Sequence, residues 1–230
     1  MKYLTIITAR SGSKRLPDKN ILKLADRPLI EWTYIVAKDL KIDHTVVVST
    51  NCSTSRKLAL EFGFICDELR PDNLSQDHTS SEEVINYEIS KAIRNKVEFD
   101  SILLLQPTSP LRTSGHILQA IKIFESGNCD AVQSYTLCES PLEKIFQINQ
   151  HQLVKNIYES IGNCFPKGTY HHTNGAIYLI KKDVFLQAQT FIPKKSKAYL
   201  MDRKDSIDID EQLDFEIAEF LMRKNRLQVS

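Results

Sequence analysis

Apolar residues along this chain fall into short blocks divided by polar loops, and the blocks alternate between two periods. Residues 3–9 (YLTIITA), 44–50 (HTVVVST) and 100–106 (DSILLLQ) are β-rich and nearly continuously apolar, the pattern of strands covered on both faces of a parallel sheet. Between them the spacing turns helical. From Pro28 to about Leu40, the residues Leu29, Ile30, Trp32, Tyr34, Ile35, Val36 and Leu40 suit a helix with Pro28 near its first turn. Residues 53–63 predict a second helix with a serine cap and Gly63 just past its end. Residues 66–80 lack an apolar period and predict a long ordered loop. Helices are then expected from about Ser81 to Arg94 and from about Ser114 to Phe124. Strand, loop and helix thus recur three times, which predicts an α/β fold with a doubly wound, mostly parallel sheet.

After Asp130 the rhythm changes. AVQSYTL (131–137), KIFQIN (144–149) and GAIYLI (175–180) read as strands joined by irregular segments. Residues from about 133 to 172 are expected to leave the main sheet. Ile145, Phe146, Ile148, Ile157 and Tyr158 give that excursion more apolar surface than one sheet with its helices has room to bury. A two-fold partner would cover it, so a homodimer joined through this region is expected, with a subdomain folded onto its own sheet as the alternative. No internal repeat or low-complexity linker interrupts the chain, so residues 1–230 are expected to form a single domain.

Composition narrows the classes. Hydrophobic residues make up 42% and charged residues 26%, an ordinary balance for a soluble globular protein. A net charge of +1 offers no general surface for nucleic acid. The first apolar run is too short for a signal peptide or a membrane span, so no membrane partner and a cytoplasmic location are expected. The five cysteines (Cys52, Cys66, Cys129, Cys138 and Cys164) are odd in number and form no C-x-x-C pair. Free thiols in a reducing compartment follow as the expectation.

Local charge carries more. The loop ARSGSKRLPDKN (9–20) sets Arg10, Lys14, Arg15 and Lys19 against one acid, Asp18. It follows the first strand, at the sheet edge where open α/β folds hold ligands. Gly12 permits close backbone approach, and Ser11 and Ser13 add donors. Such a set suits a polyphosphate, although a basic cluster alone also describes a solvated loop. Neither G-x-x-x-x-G-K-[ST] nor G-x-G-x-x-G is present. In LLLQPTSPLR (103–112), Pro107 and Pro110 stiffen a turn able to hold Thr108, Ser109 and Arg112 toward a ligand. In DSIDIDEQLDFEIAE (205–219), an extended D-x-D projects Asp208 and Asp210 to one face. Two such carboxylates suit Mg²⁺, which takes its remaining ligands from water and substrate phosphates. Asp210 could instead cap the helix that follows.

Taken in order, these stretches resemble the signatures of the CMP-sialic acid synthetase family, the N-acylneuraminate cytidylyltransferases. The first loop, RPDNLSQDHTSS (70–81), LLLQPTSPLR, NGAIYLI (174–180) and SIDID-E-xxLD all match in sequence. The resemblance spans nearly the whole chain and implies a Rossmann-like nucleotidyltransferase that joins CTP to an acidic 2-keto-3-deoxy sugar, a sialic-acid-like nonulosonic acid, and releases pyrophosphate. It implies that Arg10, Ser11, Gly12, Ser13, Lys14, Lys19 and Asn20 bind the nucleotide, and that Arg70 with Ser80 or Ser81 recognises cytosine. It implies that Gln106, Thr108, Ser109 and Asn174 lie at the sugar. Arg10, Lys19, Asp208 and Asp210 are the candidate catalytic residues, with the two aspartates as ligands of Mg²⁺.

The pattern departs from the family before Asn174, where sugar-facing arginines give way to NCFPKGTYHHTNG, and after Pro141, where Glu143 and Lys144 replace a lysine. Lys144, Lys167 and His172 are the candidates for reaching the sugar across a dimer interface. A zinc site at His171–His172 is disfavoured, because adjacent side chains on a strand point apart. Two alternatives stand beside the main reading: an enzyme for the eight-carbon sugar Kdo, and a nucleotide-binding protein without catalysis.

Overall fold

The computed structural model describes residues 1–141, 144–156 and 169–227, with side chains to residue 224. The predicted strands form where the apolar runs lie: β1 is Tyr3–Ala9, β4 is His44–Thr50 and β5 is Ser101–Leu105. A short pair, β2 (Lys23–Leu24) and β3 (Arg27–Pro28), leads into α1 (Leu29–Asp39). Then come α2 (Ser53–Glu61), α3 (Ser81–Arg94), α4 (Ser114–Glu125) and β6 (Ala131–Leu137). A separate hairpin pairs β7 (Phe146–Ile148) with β8 (Val154–Asn156). The chain continues through β9 (His171–Lys181), α5 (Lys182–Ala188), β10 (Ser196–Leu200) and α6 (Gln212–Leu227).

The main sheet has six strands in the order β10-β6-β9-β5-β1-β4. β1 pairs in parallel with β4 and β5, and β10 with β6, while β9 runs antiparallel between β5 and β6. Alternate residues of β1 face opposite layers. Tyr3, Ile7 and Ala9 meet Ile30 and Tyr34 of α1 and Ile117 and Phe124 of α4, whereas Leu4 and Ile6 meet Ile85 and Ile89 of α3 and Phe185 of α5. Helices therefore cover both faces, as the alternation of patterns requires.

Two expectations need correction. The excursion is shorter than 133–172. Residues 133–137 and 171–172 pair within the main sheet (Thr136 with His172, Leu137 with His171), so the chain leaves the sheet only between β6 and β9. The cap of α2 falls at Cys52, with no side-chain bond, and not at a serine. The 66–80 segment is the ordered loop expected, with one 3-10 turn at Asp72–Leu74.

Elsewhere the local chemistry works as its residue types suggest. Ser80 and Glu83 form a reciprocal capping box at the start of α3, and Thr113 and His116 one at α4. Gly63 closes α2 at φ +81.

One irregularity shapes the site. In register, Gln133 faces Tyr178 but Tyr135 faces Thr173, so residues 174–177 of β9 bulge opposite Ser134. The Ser134 hydroxyl fills the bulge. It donates to Asn174 Oδ1 at 2.6 Å and accepts from the Ile177 amide at 2.8 Å.

Candidate active site

The loop after β1 is fixed at both ends. The Ser11 amide donates to Asn51 Oδ1 at 2.8 Å, just beyond β4, and Asn20 Nδ2 donates to the Arg10 carbonyl at 3.1 Å. Gly12 takes φ +79, which a residue with a side chain rarely adopts. Leu16 anchors the middle of the loop in a third apolar cluster with Leu24, Leu29, Leu111, Ile209 and Phe215. That cluster ties the basic loop to the C-terminal segment that carries the D-x-D.

Lys19 is the product of this anchoring. Its side chain is buried, and Nζ donates to the Ile209 carbonyl at 2.5 Å and lies 3.2 Å from Asp210 Oδ1. Arg15 Nη2 lies 2.7 Å from the other oxygen, Oδ2. Ile209 is fully buried while Asp208 and Asp210 both line the cleft, the alternation expected of an extended D-x-D. The Ile209 amide donates to the Thr108 carbonyl at 2.8 Å, which joins the segment to the turn after β5. The helix-capping role considered for Asp210 belongs to Asp214, whose Oδ2 accepts the Asp210 and Glu211 amides at 3.0 and 2.9 Å.

These elements enclose a cleft of about 530 Å³, a size suited to a small ligand. Arg10, Ser13, Lys14, Lys19 and Asn20 line one side, Arg70, Ser80 and Ser81 another, and Gln106, Thr108, Asp208 and Asp210 the floor. Twelve residues picked from separate motifs are thus brought to one place. Arg70 is buried, its Nε donates to Ser75 Oγ at 3.1 Å, and burial lowers its pKa. The buried Glu88 of α3 opposes that shift.

Asp208 titrates above the usual carboxylate range. Burial is the largest cause, a hydrogen bond from Thr108 opposes it, and the charge of Asp210 adds to it. Asp208 is nonetheless exposed to solvent where it lines the cleft. A carboxylate beside a second one is a place where a cation would relieve repulsion. Among the described residues no group of three His, Cys, Asp or Glu side chains gathers to hold a metal. The donor set is therefore two carboxylates, which fits Mg²⁺ with its other positions left to water and phosphate.

Other expected residues fall elsewhere. Ser109 and Asn174 are buried beneath the cleft instead of facing a sugar. The Ser109 hydroxyl donates to the Asn174 carbonyl at 3.3 Å, and Asn174 Nδ2 donates to Ser206 Oγ at 2.9 Å. The first bond ties the β9 bulge to the turn after β5, and the second ties it to the segment before Asp208. Arg112, expected to point toward a ligand, turns inward. Its Nη1 donates to the carbonyls of Gln106 and Ala176 at 3.1 and 2.8 Å, and Nη2 to Thr33 Oγ1 at 2.7 Å. Complete burial lowers its pKa to about 9. Ser11 and Gly12, expected at the nucleotide, do not line the cleft: the Ser11 amide is given to Asn51, and Gly12 shapes the loop through its positive φ. Lys144 is exposed, and so is His172, whose Nδ1 lies 3.5 Å from Cys138 Sγ; neither lines the cleft. Lys167 lies outside the described residues, as do Glu143, Ile157, Tyr158 and Cys164.

The structure also brings to the site two residues that lie within the quoted motifs but were not among the expected site residues. Asp77 sits at the cleft mouth, 2.7 Å from Arg10 Nη1 and 2.6 Å from Lys14 Nζ. Gly175, at φ +74, brings its backbone against Gln106 and Asp208. The Asn-Gly dipeptide was a visible signal for the second; the first depends on a contact between distant segments.

Comparison with known proteins agrees along the whole chain. The sequence profile of the family described as "Cytidylyltransferase" matches residues 4–229. The chain is 33% identical to an N-acylneuraminate cytidylyltransferase of Escherichia coli, over 99% of this chain and 54% of that protein. It is 31% identical to a CMP-N,N'-diacetyllegionaminic acid synthase of Legionella pneumophila, over 98% of each. The chain thus spans about half the length of the first relative and nearly all of the second. Among solved structures, CMP:2-keto-3-deoxy-manno-octonic acid synthetase complexed with CTP superposes with a TM-score of 0.68 at 18% identity, covering 98% of this chain and 100% of that one. At that identity it shows the shared fold.

Proposed function

The chain belongs to the cytidylyltransferase family, and from that premise we propose that it transfers CMP from CTP to the anomeric 2-hydroxyl of a sialic-acid-like nonulosonic acid, releasing pyrophosphate. The observation that carries the reading is the junction of two motifs 191 residues apart: Lys19 Nζ lies 3.2 Å from Asp210 Oδ1, so the basic loop and the paired carboxylates share one cleft. The sugar's hydroxyl oxygen attacks the α-phosphorus and gives up its proton to solvent, a new P–O bond forms, and the bond from the α-phosphorus to the oxygen bridging it to the β-phosphate breaks. Arg10, Lys14 and Lys19 hold the phosphates in line and offset the charge that grows on the leaving pyrophosphate. Asp208 and Asp210 would hold Mg²⁺, which supplies further charge neutralisation on the phosphates. Arg70 and the start of α3 at Ser80–Ser81 recognise the base.

The relatives named for N-acylneuraminate and diacetyllegionaminic acid support a nine-carbon acid as acceptor. An enzyme for the eight-carbon acid is the second reading, supported only by a neighbour that shares the fold. A homodimer is part of the proposal. Phe146, Ile148, Leu153 and Val154 of the β7–β8 hairpin are 48%, 66%, 65% and 62% exposed, and a lone two-stranded ribbon is marginal unless something covers it. A partner's hairpin region would also bring Lys144 and His172 toward the neighbouring sugar. Pyrophosphate release measured with CTP, Mg²⁺ and a panel of eight- and nine-carbon keto acids tests the reading. Release with a nine-carbon acid supports it, and release with none of them overturns it.

A further inference from the structure

Asp77 has no place in the chemistry proposed above, yet it sits among the groups that chemistry needs. Its two oxygens are divided between two cations of the first loop: Oδ1 lies 2.7 Å from Arg10 Nη1 and Oδ2 lies 2.6 Å from Lys14 Nζ. Asp77 belongs to the 66–80 loop, 67 residues from Arg10, so the contact is made by the fold and not by local sequence. Hydrogen bonds from Lys14 and then Arg10 hold its carboxyl below the usual range, which marks the interaction as favouring the charged form.

The geometry is that of a phosphate group. A carboxylate with one oxygen on a guanidinium and the other on an ammonium occupies the two donors as two phosphate oxygens would. The other two cations of the loop, Arg15 and Lys19, meet Asp210 in the same way. Asp210 has a second task at the floor of the cleft, whereas Asp77 stands at the mouth. We propose that Asp77 is an internal competitor for polyphosphate, which occupies Arg10 and Lys14 until a triphosphate displaces it and takes them back as pyrophosphate departs. Asp77 thereby sets the affinity for both the substrate's phosphates and the released product.

The proposal rests on the reading of the loop as a polyphosphate site, and its test separates the two. Binding of inorganic pyrophosphate is measured by calorimetry without divalent metal, in the wild type, Asp77→Asn and Arg10→Ala, with thermal melts to confirm folding. Each exposed ion pair is individually weak, so Asp77→Asn is expected to tighten pyrophosphate binding by about three- to ten-fold. In turnover it lowers KM for CTP and lowers kcat where product release is limiting. Asp77→Glu, which keeps the charge, returns the affinity toward the wild type. If Arg10→Ala weakens binding while Asp77→Asn leaves it unchanged or weaker, the competitor role is overturned and the phosphate loop stands. If Arg10→Ala has no effect, the phosphate reading of the loop falls, and the competitor role falls with it.

Discussion

Gly175 and Asp208 touch where two distant segments meet: a Cβ on Gly175 would stand 3.2 Å from Asp208 Oδ2 and 2.9 Å from Gln106 Oε1. The β9 bulge delivers this contact. Ser134 and Asn174 hold the bulge in place, and only glycine fits its positive φ with the neighbours so close.

Gly175→Ala is therefore expected to cost about 1–2 kcal/mol of stability from the left-handed backbone alone. It should also displace Asp208 or Gln106. A shift of even ~1 Å at a reacting site costs on the order of 10²-fold in turnover. Thermal unfolding and kcat/KM measured together check both parts, and wild-type kinetics in a folded variant would dissociate the contact from catalysis.

Asp210→Ala removes a carboxylate that faces the phosphate cations. Turnover should fall by at least ~10²–10³-fold, the scale seen when one preorganised charge-stabilising group is lost. The fold should persist, because Asp214 and not Asp210 holds the start of α6. A titration of activity against Mg²⁺ concentration decides: recovery to normal rates at saturating metal would remove Asp210 from the metal's ligands.

Base choice should depend on Arg70. Wild-type enzyme is expected to prefer CTP over UTP, and Arg70→Ala should raise KM for CTP and narrow that preference, because a site built to pair one base edge rejects others by leaving groups unpaired. Competition assays with the two nucleotides provide the measurement. Equal turnover of UTP by the wild type would move base recognition away from the 70–81 segment.

Arg112 should matter for stability before chemistry. Its guanidinium serves Gln106, Ala176 and Thr33, which belong to three separate elements. Arg112→Met leaves two buried carbonyls without their donor, at about 1–3 kcal/mol each, offset in part by the charge no longer buried. A net loss of roughly 2–4 kcal/mol by denaturant unfolding is expected.

Stability should also weaken in mild acid. Burial lowers the pKa of both His44 and His116, with nearby aspartates opposing the shift. A histidine depressed in the folded state binds fewer protons there than in the unfolded chain. Its contribution is thus complete above about pH 6.5 and is lost as the pH falls through the folded value. The melting temperature should drop between about pH 7 and about pH 5, and the double variant His44→Gln, His116→Gln should flatten that slope.

The strands β1 and β4 were legible to the residue, because a run such as HTVVVST leaves few other ways to bury its side chains. The cleft's members were legible as well, since Arg10, Lys19, Asp208 and Asp210 lie in compact motifs. What the sequence hid was direction and distance. Nothing local tells that Arg112 turns into the core while Thr108, four residues before it, faces the cleft. Asn174 and Ser109 carry groups that a ligand could use, but Ser134 and Ser206 take up the Asn174 side-chain amide, and the Ser109 hydroxyl donates to the Asn174 carbonyl. The pairing of β9 with β6 joins segments about forty residues apart, so the strand ends at 137 and 171 could not be read from either segment alone.

The insertion of β9 between β5 and β6 also bears on how the chain is made. β1, β4 and β5 can assemble once the first 105 residues exist, but the partner for the outer edge of β5 ends at residue 181. At synthesis rates of about 5–20 residues per second, that edge waits roughly 4–15 s for its neighbour. During the wait it shows the backbone of Ser101–Leu105, a strand whose side chains are all buried in the finished protein. An open edge of this kind is a template for pairing with another chain. The strand whose bulge lies against Gln106 and Asp208 is thus also the late-arriving cover of an edge open to pairing between nascent copies.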